Sequence, residues 1–452
     1  MSSLSKTNSK HPPIRDMTDQ DIDAHVRQHL VVRSQEKDEF GEVFTPPDLI
    51  HELLDNLPAT LWTRADTRWL DPAAGRGNFS ALVYARLMKS LTKSFPLVQE
   101  RKRHILQNML FMVELNPDNV RALKQLFGKE ATIFTGDFLD GVLPKEDRFD
   151  VVLGNPPFQV EKQGQYTGSA GNRTLWDQFV KVALNTYLKS DGWLAFITPA
   201  NWRRPDHPLY DLMTRQNRLH YLHIYGKAAG QKWFGVESRF DLYTIQHKQN
   251  EVGQNEVGQN EVGQSATGQN SATTIIDEMG KTHRILVKQW PFLPNYAFRS
   301  IRAILAKTTA RRLPVIFSAG TYDARKLSKR KTTKFRHPVV HTITRRGLGI
   351  RFAKDRQSSQ FGVPKVLLNF NERQYPYNDY KGEVGMSQLT FGLPIPGPRE
   401  RAKVRGEAMI RALTSPAFQE IIRATKWSAF QTDYRMFSYF DRDFYNFEHL
   451  HR

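Results

Sequence analysis

From about residue 67 the chain alternates two patterns: short apolar runs, and segments whose apolar positions recur every three or four residues. "TRWLD" (67–71) reads as a short buried strand and "NFSALVYARLMKSL" (78–91) as a helix. The strand "MLFMVEL" (109–115), the helix "PDNVRALKQLFG" (117–128) and the strands "ATIFTGD" (131–137) and "FDVVLG" (149–154) follow, then the helix "LWDQFVKVALNTYL" (175–188) and the strand "GWLAFITP" (192–199). Strands and helices in turn predict a parallel α/β sheet covered on both faces. "RLHYLHIYG" (218–226) and "RFDLYTIQH" (239–247) have no long helix between them, which predicts an antiparallel edge.

The pattern then breaks. "NEVGQ" occurs three times in tandem from Asn250 to Gln264 and decays into "SATGQNSATT". Five residues are too few for a solenoid unit, so 250–274 is expected to be a flexible hairpin loop without assigned function. "TTIIDEMGKTHRILVKQW" (273–290) predicts returning strands, and "PFLPNYAF" opens a second domain near residue 291. That domain mixes strand-like runs, "HPVVHTITRRG" (337–347) and "PKVLLNF" (364–370), with one long helical pattern, "RERAKVRGEAMIRALTSPAFQEIIRATK" (399–426). The expected organisation is an N-terminal extension (1–37), an α/β domain (38–290) and a mixed α+β domain (291–452).

Composition changes this picture in four ways. At 39% hydrophobic residues, with 28 Phe and 8 Trp, the 452-residue chain can bury the cores of two domains. It has no cysteine, which excludes disulfides, thiolate metal sites and every cysteine nucleophile; no metal is expected. There is neither an apolar run long enough to span a bilayer nor a signal peptide in "MSSLSKTNSKHPP", so a soluble cytoplasmic protein without membrane contact is expected. The net charge of +19 is also unevenly placed. Residues 291–452 carry 30 Lys and Arg against 12 Asp and Glu, or +18, whereas the other 290 carry 35 against 34. A domain this basic suits a polyanion, most often nucleic acid, although composition alone names no ligand.

In a parallel α/β sheet ligands bind beyond the C-terminal strand ends. There the sequence places Asp71, followed by Gly75, Gly77 and Asn78 in "DPAAGRGNF", then Glu114, Asp137 and Asn155. The position for a third dinucleotide-motif glycine is Ser80, and a Walker lysine is missing, so a phosphate cradle is not expected. Glu114 could accept ribose hydroxyls and Asp137 an adenine amino group. Any one acid could be only a helix cap, but three acids and an amide at successive strand ends suit a cationic adenosine-type ligand such as S-adenosylmethionine. "LGNPPF" (153–158) stiffens the end of a strand. Asn-Pro is a common turn initiator, so this step decides nothing when taken alone.

Together these motifs resemble the adenine-N6 DNA methyltransferases of restriction-modification systems. "GEVFTPPDLIHELLDNL" (41–57) is similar to that family's N-terminal cofactor motif, "WLDPAAGRGNF" to its glycine motif, "FMVELNPDNV" to its ribose motif, "TGDF" to its adenine motif and "LGNPPF" to its catalytic motif. "GWLAFITPANW" follows a later family strand, and "KWSAFQTDYRMF" (426–437) looks like segments of related methylases. The resemblance covers roughly 38–250 and weakens beyond 291. It implies a Rossmann-like, S-adenosylmethionine-dependent methyltransferase sheet followed by a C-terminal DNA-recognition domain. The cofactor would be held by Phe44, Thr45, Pro46, Asp71, Pro72, Ala73, Gly75, Gly77, Asn78, Glu114, Asp137, Phe138 and Asn155.

The implied chemistry explains the rigid step. Adenine N6 is a poor nucleophile because its lone pair is delocalised into the ring. Two acceptors on its two hydrogens, the Asn155 side-chain oxygen and the Pro156 carbonyl, would localise that pair, with Pro157 holding the geometry. Phe158 would stack on the base, which must be flipped out of the duplex; by resemblance Phe234 is a second stacking aromatic, although buried phenylalanine is common in any core. The loop 159–174 could close over DNA or merely connect. Arg345, Arg346, Arg351, Lys354 and Arg356 in "TRRGLGIRFAKDR" form a candidate DNA-binding strip on double-stranded DNA. A cognate restriction endonuclease is a further partner the resemblance implies. With only 40 residues before the cofactor motif and no nuclease motif elsewhere, a methyltransferase alone is expected.

Rivals remain at this point. Cytosine-C5 methylation needs the cysteine this chain lacks, and cytosine-N4 enzymes typically carry Ser before the Pro-Pro pair. Protein glutamine-N5 methylation uses the same Asn-Pro-Pro step but has no need of a strongly basic domain. RNA adenine methylation and a non-catalytic DNA-specificity subunit stay open.

Overall fold

The computed structural model describes residues 14, 17, 19–29, 44–158, 174–248, 272–317, 322–371, 374–427 and 432–447. The loop 159–173 and all three NEVGQ repeats lie outside the described residues, so the expectations placed on them are not addressed. The chain divides into two compact units, 1–200 with 211–288, and 201–210 with 289–452.

In the first unit nine described strands form one sheet: β1 (Trp69–Asp71), β2 (Leu110–Glu114), β3 (Thr132–Thr135), β4 (Phe149–Gly154), β5 (Leu188–Pro199), β6 (Arg218–Tyr225), β7 (Phe240–Gln246), β8 (Thr273–Ile276) and β9 (Thr282–Ile285). Their order is β3-β2-β1-β4-β5-β7-β6-β8-β9. From β3 to β5 neighbours run parallel, and β7 is antiparallel to both β5 and β6. Every residue of β1, β2 and β4 is buried, as expected for parallel strands covered on both faces. The connections reverse direction between β1 and β4, and that switch point opens the crevice in which such sheets bind ligands. It brings the ends of "WLD" and "VVLG" side by side.

Local chemistry sets the helices that frame this crevice. Asn116 caps the helix Pro117–Phe127, accepting from the Asp118 amide at 2.9 Å, with Pro117 in the first turn. Gly77, at φ +93°, precedes the helix Asn78–Ser90. A Cβ there would stand 2.9 Å from both Leu123 and Phe127 of the neighbouring helix, so only glycine lets the two helices close on the loop. Within the expected extension 1–37, the helix Asp19–His29 packs against the helices Asn78–Ser90 and Pro47–Asp55, burying Ile22 and Val26.

The second unit holds two described three-stranded sheets and a helical pair. One sheet runs β11 (Gly347–Ala353), β10 (His337–Thr344), β14 (Gly385–Met386); the other β13 (Tyr377–Asp379), β12 (Lys365–Asn369), β15 (Thr390–Pro394). Two expectations need correcting. The stretch 38–290 is interrupted, because 201–210 packs with the second unit. There the fully buried Arg203 donates to the carbonyls of Leu293 (3.0 Å) and Pro294 (3.1 Å) and to Asn295 Oδ1 (2.9 Å). The long helical pattern 399–426 is two helices, Ala402–Thr414 and Pro416–Ala424. Pro416 cannot continue a helix but suits a first turn, and the Ser415 hydroxyl caps that turn by accepting from the Phe418 amide.

Candidate active site

Four strand ends meet at the crevice, each differently satisfied. Asp71 closes β1 and is buried, accepting from the Ser80 hydroxyl at 3.0 Å and the Ala73 amide at 3.4 Å. Burial pushes its carboxyl up to about 7; the Glu114 charge adds to that rise and the two hydrogen bonds oppose it. Gly154, closing β4 beside it at φ +153°, leaves room that a Cβ would narrow to 3.3 Å from Asp71 Oδ1.

Glu114 ties the glycine loop to β2. Its Oε2 accepts from the Gly75 amide at 2.6 Å and its Oε1 from the Asn116 amide at 2.7 Å. Each carboxylate oxygen has two acceptor positions, so these bonds orient the group without exhausting it. The chain after β3 is joined on by the Gly136 amide, which donates to the Glu114 carbonyl at 3.0 Å. Half-buried Asp137 accepts from the Leu139 amide at 2.8 Å. The Phe138 ring turns inward, stacked on Phe179 at 5.2 Å between centroids and packed on Tyr187.

At the end of β4, the Asn155 Nδ2 donates to Thr45 Oγ1 at 3.1 Å. Thr45 is itself buried, and its carbonyl lies 3.5 Å from Asn78 Nδ2. Phe44, Thr45 and Pro46 lead into the helix Pro47–Asp55, which places this segment over the strand ends. Two buried oxygens, Asn78 Oδ1 and Asn155 Oδ1, have no hydrogen-bond partner among the described residues. A buried orphan acceptor costs about 1–3 kcal/mol, which a folded chain retains when a ligand supplies the missing donor. Pro72 and Pro156 are buried; Ala73, Pro157 and Phe158 are partly accessible.

Phe234 lies at the end of the helix Lys227–Phe234, with its ring edge-on to Phe240 at 4.8 Å and only 7% of its surface exposed. It packs as a core aromatic. Leu115, passed over in the motif reading, is 54% exposed immediately after buried Glu114. Its signal was available: a leucine directly follows the acid that ends an apolar strand.

In the second unit Arg345, Arg346, Lys354 and Arg356 are exposed and Arg351 partly so. Sequence reasoning missed the adjoining run Arg325, Lys326, Lys329, Arg330, Lys331, Lys334 and Arg336, all exposed. Residues 324–354 contain 11 Lys and Arg and no Asp or Glu, a signal legible from composition alone.

The first unit is a doubly wound, mainly parallel α/β sheet of the Rossmann-like kind, and the second is a mixed α+β unit. Residues 75–230 match the family model of the Eco57I restriction-modification methylase. An uncharacterized adenine-specific methylase of Mycoplasma pneumoniae (strain ATCC 29342 / M129 / Subtype 1) is 24% identical over 36% of this chain and 55% of its own. The modification methylase CviBIII of Paramecium bursaria Chlorella virus NC1A is 25% identical over 37% of this chain and 40% of its own. The chain thus spans about half the length of the curated relatives it matches. Among solved structures, the type IIL restriction-modification enzyme MmeI in complex with DNA aligns with a TM-score of 0.46 at 13% identity, covering 94% of this chain and 70% of that one.

Proposed function

We propose that the chain is a site-specific DNA adenine-N6 methyltransferase that uses S-adenosylmethionine. The observation that carries this reading is the buried Asn155 oxygen, which has no donor among the described residues and stands at the switch point of the sheet, immediately before Pro156 and Pro157. The residues around it fit the cofactor: Asp71, Glu114 and Asp137 supply acceptors for its hydroxyls and amines, Asn78 Oδ1 is a second buried acceptor in want of a donor, and Leu115 offers an apolar face beside Glu114 for its adenine. When bound, this group supplies the methyl, carried on a sulfonium.

The chain's own residues prepare the nucleophile. Asn155 Oδ1 accepts one hydrogen of the target amine and the Pro156 carbonyl the other, so the lone pair turns out of conjugation. Thr45 holds the other end of the Asn155 amide, and Phe158 stacks on the extruded base. No covalent intermediate on the protein is required. The basic second unit binds the duplex, and a restriction endonuclease of the same specificity is the partner this reading implies.

A tritiated S-adenosylmethionine transfer assay on duplex DNA from a methylation-free strain tests it, with digested nucleosides resolved and Asn155→Ala run in parallel. Label in N6-methyladenine that vanishes in the variant is expected. Label confined to RNA or to a protein glutamine would overturn the substrate.

A further inference from the structure

The β10–β11 hairpin has two unlike faces and two unlike halves. On one face Val340, Ile343, Leu348 and Ile350 pack into a core with Leu367, Val384 and Met386. On the other, the half near Val339 and Ala353 is covered by Tyr322, Phe361 and Leu327. The half toward the turn is not: Thr342, Thr344, Arg345, Arg346 and Gly347 are exposed and Gly349 partly so, while Arg351, paired with Val339 at the border of the two halves, is also partly exposed. Register places Thr342 opposite Gly349, Thr344 opposite Gly347 and Arg351 two positions beyond Gly349 on the same face. An extra residue in β10 between Val340 and Thr342 brings Thr342 onto this side. A Cβ on Gly349 would stand 2.2 Å from Thr342 Oγ1, while one on Gly347 would meet nothing within 4 Å. The distal half is therefore a bare ribbon of backbone and two threonines, Thr342 and Thr344, with Arg351 at its border.

Cations mark both of its ends. Arg345 and Arg346 form the turn. At the other end Ser328 pairs with Phe352, its amide and carbonyl each bonded at 2.9 Å, and the Arg336 amide donates to the Ala353 carbonyl at 3.1 Å. These bonds fasten Lys329, Arg330, Lys331, Lys334 and Arg336 beside Lys354. With no acidic residue from 324 to 354, nothing within the stretch offsets this field. The eight residues of β10 span roughly 25 Å at about 3.3 Å each. That exceeds the roughly 12 Å width of a B-DNA major groove, which admits a two-stranded ribbon.

We propose that the distal half of the β10–β11 hairpin, together with Arg351 at its border, is the base-reading element of this chain: Thr342 and Arg351 meet base edges in the major groove, and the cations at the two ends hold the phosphate backbones that flank it. The inference rests on the proposed DNA methyltransferase function and assigns its specificity to named side chains. Arginine reads guanine O6 and N7 in two bonds, and a threonine presents both a hydroxyl and a methyl to a base edge.

The test uses the full chain. The methylated sequence is first mapped by single-molecule sequencing of a methylation-free host expressing the wild type. A fluorescent duplex carrying that site, a scrambled duplex and an A-form RNA duplex are then titrated across a salt series. Arg351→Gln with Thr342→Val is expected to lose about 10–100-fold of the discrimination between site and scramble and to relax or shift the methylated sequence. Lys329→Ala, Arg330→Ala, Lys331→Ala and Lys334→Ala combined should keep the site but lower the slope of log K against log salt by about 3.6, near 0.9 per lost contact. A thermal melt with both transitions at the wild-type Tm, in both variants, excludes misfolding of the second unit. Retention of the wild-type site and discrimination by the hairpin variant overturns the inference, as does equal competition by RNA duplex, whose deep major groove excludes a ribbon. A wild type that binds and methylates no duplex DNA overturns the underlying function instead, so the two failures are told apart.

Discussion

The crevice of the first unit and the basic hairpin of the second solve opposite problems. The crevice holds few polar groups, all buried or half-buried, and its chemistry lies in single atoms: two amide oxygens without a donor among the described residues and a carboxyl that burial has pushed up to about 7. The hairpin region holds many cations, mostly exposed, each of which contributes little in water. Low dielectric strengthens an individual interaction and makes an unmade one costly, whereas an exposed surface must sum many weak ones. Single substitutions should therefore be severe in the first region and mild in the second.

Asn155→Ala sharpens this contrast most. Loss of one positioned acceptor at a reacting centre should lower single-turnover methyl transfer by about 10³-fold, with S-adenosylmethionine affinity by calorimetry changed far less. Thr45→Val comes next, because it leaves the Asn155 Nδ2 without its acceptor. Transfer should fall about 10–50-fold, and Thr45→Ser should recover most of it. In an Asn155→Asp background, where either carboxylate oxygen can accept, Thr45→Val should cost less than about 3-fold; full additivity would show that Thr45 acts elsewhere.

Gly77→Ala tests the frame around the site. A Cβ in contact with Leu123 and Phe127 at a left-handed φ should cost about 2 kcal/mol or more, seen as a lower Tm in a thermal melt. Asp71 gives a pH signature. Its folded pKa of about 7 lies above the unfolded 3.8, so between these values the folded state holds the extra proton. Stability contributed by neutral Asp71 should be complete below pH 3.8 and lost as pH rises through about 7, while affinity for a cationic ligand should rise over the upper part of that window. Asp71→Asn should flatten both curves. The smallest effect belongs to the exposed strip: Lys334→Ala alone should weaken duplex binding only about two- to fivefold and lower the salt slope by about 1. A hundredfold loss there would break the contrast.

Much of the crevice could be read in advance, because strand ends are punctuated locally. Asp71, Glu114, Asp137 and Asn155 each follow an apolar run, and a parallel sheet must deliver such positions to one edge. The Thr45–Asn155 bond could not be read, since 110 residues separate its partners and no periodicity links them. The inward turn of Phe138 and the burial of Phe234 against Phe240 depend on which neighbours fill the adjacent volume. The basic run 325–336 stood in plain view as composition, but its attachment to the edge of β11 is a pairing of distant backbones.

By itself, then, the sequence determined the alternation of strand and helix, the stiff Asn-Pro-Pro step, the absence of thiol chemistry and the charge of the last third, because periodicity, fixed φ angles and composition are local properties. Tertiary structure decided the insertion of β7 between β5 and β6, the passage of 201–210 into the second unit, the orphaning of two amide oxygens and the open half of one hairpin. These depend on burial, and a side chain's burial is set by whatever else has folded against it.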